Sequence, residues 1–94
     1  MAAFGTVFMP TMAFTSFENN QWNAATIVAS DSITLHPGAH VLHYSSTCFE
    51  GLKAFKHADG SVHLFRMDQN LNRFAQSSQL LSLPAIDQAQ VSQM

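Results

Sequence analysis

The stretch FEGLKAFKHADGSVHLFR, residues 49–66, decides the local fold because it places Asp59-Gly60 between two strand-like runs. Asp-Gly in this position is among the strongest short signals for a β-hairpin, since glycine tolerates the positive φ that the turn requires. We therefore predict a strand over 49–56 that pairs antiparallel with a strand over 61–66.

The first of these strands alternates poorly. Successive side chains of a strand point to opposite faces, so Phe49, Gly51, Lys53 and Phe55 would share one face and Glu50, Leu52, Ala54 and Lys56 the other. A half-buried strand has no structural need for a glycine and a lysine within an aromatic face. Two interpretations of Lys53 stay open. It is either an edge-strand lysine that extends into water, or a cation lining a pocket that Gly51 keeps open.

A helix is predicted after the hairpin, in MDQNLNRFAQSSQLLSLP (67–84). One face of this helix has helical spacing and carries Leu71, Phe74, Ala75, Ser78 and Leu81. Asp68 is the expected N-cap and Pro84 the expected stop. Asp87 and Gln90 resemble a capping box that begins a second helix. Since the sequence ends at Met94, we expect the domain to be truncated within that helix.

The region before the hairpin has weaker signals. Residues 1–23 are apolar, contain Gly5 and Pro10 and show no clear period, so we interpret them as an irregular leader. Residues 24–35 favour one or two short strands, and 36–40 form a loop around Pro37-Gly38. The predicted fold class is α+β, with a leader over 1–23 and a small domain over 24–94 built from an antiparallel hairpin followed by helices.

The composition excludes several classes of function. Charged residues make up 11% of the sequence, against roughly 25% in an average soluble domain, which suggests that part of the surface is an interface. A net charge of −2 offers no basic field for nucleic acid. No apolar run approaches the length of a membrane span, and the N-terminal region lacks the basic residues of a signal peptide. We therefore expect a cytoplasmic protein.

Reactive side chains are few. The five histidines, His36, His40, His43, His57 and His63, carry no metal-binding spacing, so we predict no metal site. Cys48 has no marked neighbouring base and is treated as a small buried hydrophobe.

Lys53 and Lys56 are the only lysines of the sequence and therefore the only side-chain amines able to form a Schiff base. Arg73 is either a surface arginine or a guanidinium that binds phosphate or carboxylate.

Residues 35–84 resemble the N-terminal region of branched-chain amino acid aminotransferases, which are pyridoxal-phosphate enzymes of fold type IV. The matching elements, in the family's order, are LHP, LHY, FEGLKAF, DG, LFR, the N and R of NLNR, and a closing LP. D-amino acid aminotransferases and aminodeoxychorismate lyases, which share the fold type, resemble this pattern less. Met67 stands where many relatives have proline, and Ser45 where several have glycine or alanine.

The resemblance implies a role for several residues. Tyr44 would shape the substrate pocket, Phe49 and Gly51 would form the wall that accepts a branched aliphatic chain, Lys53 would lie near that cavity, and Arg73 would bind the cofactor phosphate. The family's reaction moves the amino group of leucine, isoleucine or valine to 2-oxoglutarate, usually in a homodimer.

The resemblance also implies what the 94 residues lack. Neither Lys53 nor Lys56 matches the context of the family's Schiff-base lysine, and the large catalytic domain is absent, so no catalytic residue is assigned. We expect this chain alone to be inactive. The alternative interpretation is a stand-alone, non-catalytic ligand-binding or interaction module with the same small-domain fold.

Overall fold

The computed structural model describes residues 2–94, which divide into two compact units, one up to Ala39 and the other His40–Gln93. The elements, in chain order, are β1 (Thr11–Phe14), β2 (Phe17–Glu18), β3 (Gln21–Trp22), β4 (Thr26–Ala29), α1 (His40–Tyr44), β5 (Ala54–Lys56), β6 (Val62–Leu64), α2 (Met67–Leu80) and α3 (Gln88–Gln93). The predicted mixture of antiparallel hairpins and helices is confirmed. No helix within residues 2–94 is long and apolar enough to cross a membrane.

The first unit corrects the prediction of an irregular leader. Strands β1 and β4 pair antiparallel, with Thr11 opposite Ala29, and β2 pairs with β3. Asn19 and Asn20 connect the latter pair with φ of 53° and 61°, which is the positive φ that a two-residue hairpin turn requires. Because β1 finds its partner beyond this hairpin, no local period in the sequence reveals it. The leader prediction is therefore wrong for residues 11–22.

The second unit contains the predicted Asp-Gly hairpin. Strand β5 pairs antiparallel with β6, with Phe55 opposite His63, and Gly60 has a φ of +87°. Asp59 Oδ1 accepts hydrogen bonds from Ser61 Oγ at 2.6 Å and from Ser61 N at 2.9 Å. These bonds, that from the Ser61 hydroxyl first, hold the pKa of Asp59 below its usual value. Local hydrogen bonds therefore fix the turn.

Both strands of this hairpin are shorter than predicted. Residues 49–53 are not in a strand, so the predicted strand over 49–56 is present only from Ala54. On the partner side, β6 ends at Leu64 and Arg66 adopts a φ of 53°. This left-handed residue turns the backbone into α2, so the segment before Ala54 has no strand to pair with.

Helix α2 is present where it was predicted, but its ends differ. Its N-cap is Arg66, which makes no side-chain capping bond, and not Asp68. Asp68 lies in the first turn, where its negative charge favours the helix N-terminus. The helix ends before Pro84 because Ser82 adopts a φ of 55°. The amides of Ser82 and Leu83 then donate to the carbonyls of Gln79 and Ser78, at 3.0 Å each, in a Schellman arrangement.

Helix α3 begins as predicted, since Asp87 Oδ1 accepts a hydrogen bond from Gln90 N at 3.1 Å. It packs against α2. Between 2 and 94, Leu71 on α2 is the only buried large apolar side chain, with 7% of its surface exposed. Phe4, Phe49 and Phe65 are among many large apolar side chains left exposed. These residues therefore form little core of their own.

Candidate functional site

An ion pair joins the segment before the hairpin to helix α2. Arg73 Nε donates to Glu50 Oε2 at 2.7 Å, and Arg73 Nη2 donates to Glu50 Oε1. The planar guanidinium matches the two carboxylate oxygens, which is the bidentate geometry that makes such pairs strong. Residues from FEG and NLNR, 23 positions apart, are therefore in direct contact.

Two further donors complete the surroundings of the Glu50 carboxylate. Asn70, one turn before Arg73, donates through Nδ2 to Glu50 Oε1 at 3.2 Å and to Gly51 O at 3.0 Å. The Gly51 amide also donates to Glu50 Oε1, at 3.3 Å. The bonds from Arg73, followed by those from Asn70 and Gly51, lower the pKa of Glu50 from 4.5 to about 2. The carboxylate is therefore ionised throughout the neutral range.

The pairing leaves Arg73 able to bind a second anion. A guanidinium has five N–H groups, and Glu50 accepts from two of them. The Arg73 side chain is 67% exposed, whereas that of Glu50 is 11% exposed. Glu50 thus fixes one edge of the guanidinium, while the remaining N–H groups can donate to a phosphate or carboxylate.

A groove of about 410 Å³ runs along this side of α2. Its lining residues are Phe65, Arg66, Gln69, Asn70, Asn72, Arg73 and Gln76. Both arginines of the sequence are in this set, and no acidic residue is. The lining therefore suits a polar, anionic ligand group.

The other residues assigned to the pocket lie outside that groove. Tyr44 ends α1, is 73% exposed, and packs edge-on against His40 with ring centroids 5.1 Å apart. Phe49 is 90% exposed and Lys53 is also exposed. A Cβ added at Gly51 would meet no atom within 4 Å. The structure thus links Gly51 to Arg73 through Glu50 and Asn70, whereas Tyr44, Phe49 and Lys53 are open to solvent.

Sequence reasoning missed part of this arrangement. It placed Glu50 on the face opposite Phe49 and Gly51 but found neither its pairing with Arg73 nor any role for Asn70. The available signal was the spacing of Asn70 and Arg73, because residues three apart on a helix are neighbours. Across residues 2–94, no group of three or more histidine, cysteine or acidic side chains could hold a metal ion.

Curated proteins similar to this chain share one activity in their names. A branched-chain-amino-acid aminotransferase from Dictyostelium discoideum is 40% identical over 73 residues, which is 78% of this chain and 19% of the relative. A cytosolic branched-chain-amino-acid aminotransferase from Ovis aries is 37% identical over 89 residues, 94% of this chain and 23% of the relative. Branched-chain-amino-acid transaminase 1 from Bacillus subtilis is 38% identical over 86 residues, 90% of this chain and 24% of the relative.

The chain spans about a fifth to a quarter of the length of these relatives. No protein-family model matches it. The similarity extends over most of the chain.

Proposed function

We propose that this chain, which by its sequence belongs to the branched-chain-amino-acid aminotransferase family, supplies one wall of a substrate pocket and one ligand of a cofactor phosphate. The complete protein would transfer the amino group of leucine, isoleucine or valine to 2-oxoglutarate. It would have fold type IV, act in the cytoplasm and assemble as a homodimer. The activity in the names of the relatives supports the reaction, and the resemblance of residues 35–84 supports the fold type and the homodimer. The cytosolic relative from Ovis aries supports the location.

The contact between Glu50 and Arg73 carries the proposal for the cofactor. Glu50 holds one edge of the Arg73 guanidinium, which is 67% exposed and keeps three N–H groups for another acceptor. These donors fit a phosphate oxygen, so Arg73 would bind the phosphate of pyridoxal 5′-phosphate. When bound, this cofactor supplies the electron sink for amino-group transfer. The part of the chain described here would hold and orient it.

The substrate wall is proposed on the other side of the Glu50 segment. Glu50 points to α2, whereas Phe49 is exposed and Gly51 has open space where a side chain would be. Phe49 and Gly51 would then contact the branched aliphatic side chain of the substrate, with Tyr44 and Lys53 beside them. The apolar ring and the absent side chain suit an aliphatic group better than a charged one.

We propose that the 94-residue chain alone has no transaminase activity. Schiff-base formation requires a lysine amine, and neither Lys53 nor Lys56 lies in the family's Schiff-base motif. The small core also supports a need for the rest of an aminotransferase. Leucine-dependent glutamate formation by the pure chain is therefore expected to stay at background, and measurable turnover would contradict this part of the proposal.

A chimera tests the proposed role directly. The matching 86-residue segment of the Bacillus subtilis transaminase is replaced by the corresponding part of this chain, and leucine-dependent glutamate formation is measured. We expect activity, with Arg73→Gln weakening pyridoxal phosphate binding at least about tenfold because charge-assisted phosphate bonds are lost. Binding of unphosphorylated pyridoxal should change little. Arg73→Lys, which keeps the charge but loses the planar fork, should be intermediate.

The comparison of pyridoxal with pyridoxal phosphate distinguishes a role of Arg73 in phosphate binding from general damage to the chimera. If Arg73→Gln weakens pyridoxal and pyridoxal phosphate equally, Arg73 supports the fold and does not bind the phosphate. If the folded chimera binds pyridoxal phosphate but does not accept leucine, the assignment of Phe49 and Gly51 to the substrate wall is wrong.

A further inference from the structure

The β5–β6 hairpin brings two histidines of the sequence together. His63 lies opposite Phe55 in the pairing, and His57 lies two residues after Phe55, on the same face. The ring centroids of His57 and His63 are 4.4 Å apart and their planes meet at 49°. Both side chains are exposed and line one hollow of about 310 Å³, with Phe55, Leu64 and Phe65. The two imidazoles therefore open onto the same space.

The turn also determines which nitrogen of His63 carries the proton. Ser61 Oγ donates its only hydrogen to Asp59 Oδ1 at 2.6 Å. The same oxygen lies 3.0 Å from His63 Nε2, so it can only accept there and Nε2 must donate. A neutral imidazole has one N–H group, and Nδ1 of His63 consequently has the free lone pair. Histidines that bind metals are commonly oriented in this way, by donating the other ring N–H to an oxygen acceptor.

We propose that His57 and His63 bind a divalent late transition-metal ion that takes ligands about 90° apart, of which Ni²⁺ and Cu²⁺ are examples. Nδ1 of His63 is one ligand, a ring nitrogen of His57 is the second, and water molecules occupy the remaining positions. This site is independent of the proposed transaminase function.

The ring separation suits this coordination. With metal–nitrogen bonds of about 2.1 Å, two imidazoles bound about 90° apart on one octahedral or tetragonal ion have ring centroids about 4.5 Å apart, and the observed separation is 4.4 Å. The tetrahedral angle of zinc would place the centroids about 5.2 Å apart. Imidazole nitrogen is a ligand for zinc, copper and nickel, whereas magnesium and calcium prefer oxygen.

Titration of the 94-residue chain with Ni²⁺ tests the site, because the paramagnetic ion broadens the NMR resonances of nearby imidazole protons. The ring protons of His57 and His63 should broaden together and before those of the other histidines. His57→Gln and His63→Gln should each weaken Ni²⁺ binding at least about tenfold, since each removes one of two ligands. The matched control replaces His36, His40 and His43 together by Gln and should change affinity by less than about twofold. An equal loss in this control would overturn the proposal.

Two further measurements separate a site built by the hairpin from simple chelation. Ser61→Ala keeps both imidazoles but removes the acceptor for His63 Nε2, so Ni²⁺ binding should fall severalfold, and Ser61→Thr should restore it. In denaturing urea the affinity should drop at least about tenfold, because the hairpin that joins the rings is lost. Unchanged affinity in urea would overturn the proposal. Displacement of Ni²⁺ by excess Mg²⁺ but not by Cu²⁺ would also overturn it. The chemical shifts of β5 and β6 in the same spectra show whether each variant keeps the hairpin.

Discussion

The β5–β6 hairpin and the segment 49–53 that precedes it are adjacent in sequence but are held in different ways. The hairpin turn is closed by bonds between near neighbours, such as His57 N to Ser61 O at 2.8 Å. The preceding segment has no strand partner and is held by side chains of α2, through Glu50 with Arg73 and Gly51 with Asn70. Its contacts join residues 19 to 23 positions apart.

This difference shows where the candidate site gets its geometry. The hairpin needs only its own residues to form, whereas the backbone at Gly51 depends on a helix that begins 16 residues later, at Met67. Changes in the ion pair should therefore disturb the site and spare the hairpin. Changes in the turn should do the reverse.

The largest expected effect is the loss of the ion pair. Glu50→Ala removes the acceptor of Arg73, Asn70 and the Gly51 amide, so the segment 49–53 should detach from α2. In native-state hydrogen exchange, protection of the Gly51 amide should fall at least about tenfold, whereas protection in β5 and β6 should stay within about twofold.

Glu50→Gln is the matched control for this prediction. It keeps the size of the side chain and one carbonyl acceptor but removes the charge, so its effect should be intermediate. If Glu50→Ala reduced protection equally in the hairpin and in the segment, the two regions would form one cooperative unit, and the comparison between them would be wrong.

Acid should reproduce this loosening without a mutation. The pKa of Glu50 is about 2 in the folded chain and 4.5 ordinarily, so folding favours its ionised form. The stabilisation is complete above about pH 4.5, decreases as the pH falls and is lost below about pH 2. The carboxyl carbon of Glu50, followed by NMR, should titrate near 2 in the native chain and nearer 4.5 in Arg73→Gln. A native midpoint near 4.5 would show that the ion pair does not persist in solution.

Substitution of Gly60 tests the stability of the β5–β6 hairpin. Gly60 has a φ of +87°, which strains any residue with a Cβ, so Gly60→Ala should destabilise the hairpin by about 1 kcal/mol. Chemical shifts of β5 and β6 should move towards random-coil values, while the Gly51 amide keeps its protection. Gly60→Asn is the control, because asparagine tolerates positive φ better than alanine. If Gly60→Ala and Gly60→Asn destabilise the hairpin equally, the positive φ of Gly60 is not the cause.

The contrast between local and long-range contacts also explains which parts of this molecule can be predicted from its sequence. The Asp59-Gly60 turn, helix α2 and the Asp87 cap could be predicted because each depends on residues a few positions apart. Strand β1 could not, since its partner β4 follows an intervening hairpin. The N-cap of α2 was misplaced because the backbone turns at Arg66, a left-handed conformation that arginine does not signal.

The candidate site was predictable only in part. Strand parity separated Glu50 from Phe49, and the Glu50 side chain is 11% exposed whereas Phe49 is 90% exposed. The strand itself is absent over 49–53, and Leu52, predicted on the same face as Glu50, is exposed. The bond between Glu50 and Arg73 depends on how α2 packs against the segment, which no local pattern encodes. The meeting of His57 and His63 follows from the hairpin register, which sequence could specify once the turn length was known.

The smallest expected effect on stability, and the clearest contrast with Gly60, is at Gly51. A Cβ at Gly51 would meet nothing within 4 Å, and its φ lies outside the left-handed region. Gly51→Ala should therefore change the free energy of unfolding by less than about 0.5 kcal/mol. If Gly51 keeps the substrate pocket open, the same change in the chimera should raise KM for leucine several-fold more than KM for alanine, whose side chain is shorter. An unchanged KM for leucine would remove Gly51 from the pocket, whereas a large loss of stability would assign it a role in the fold.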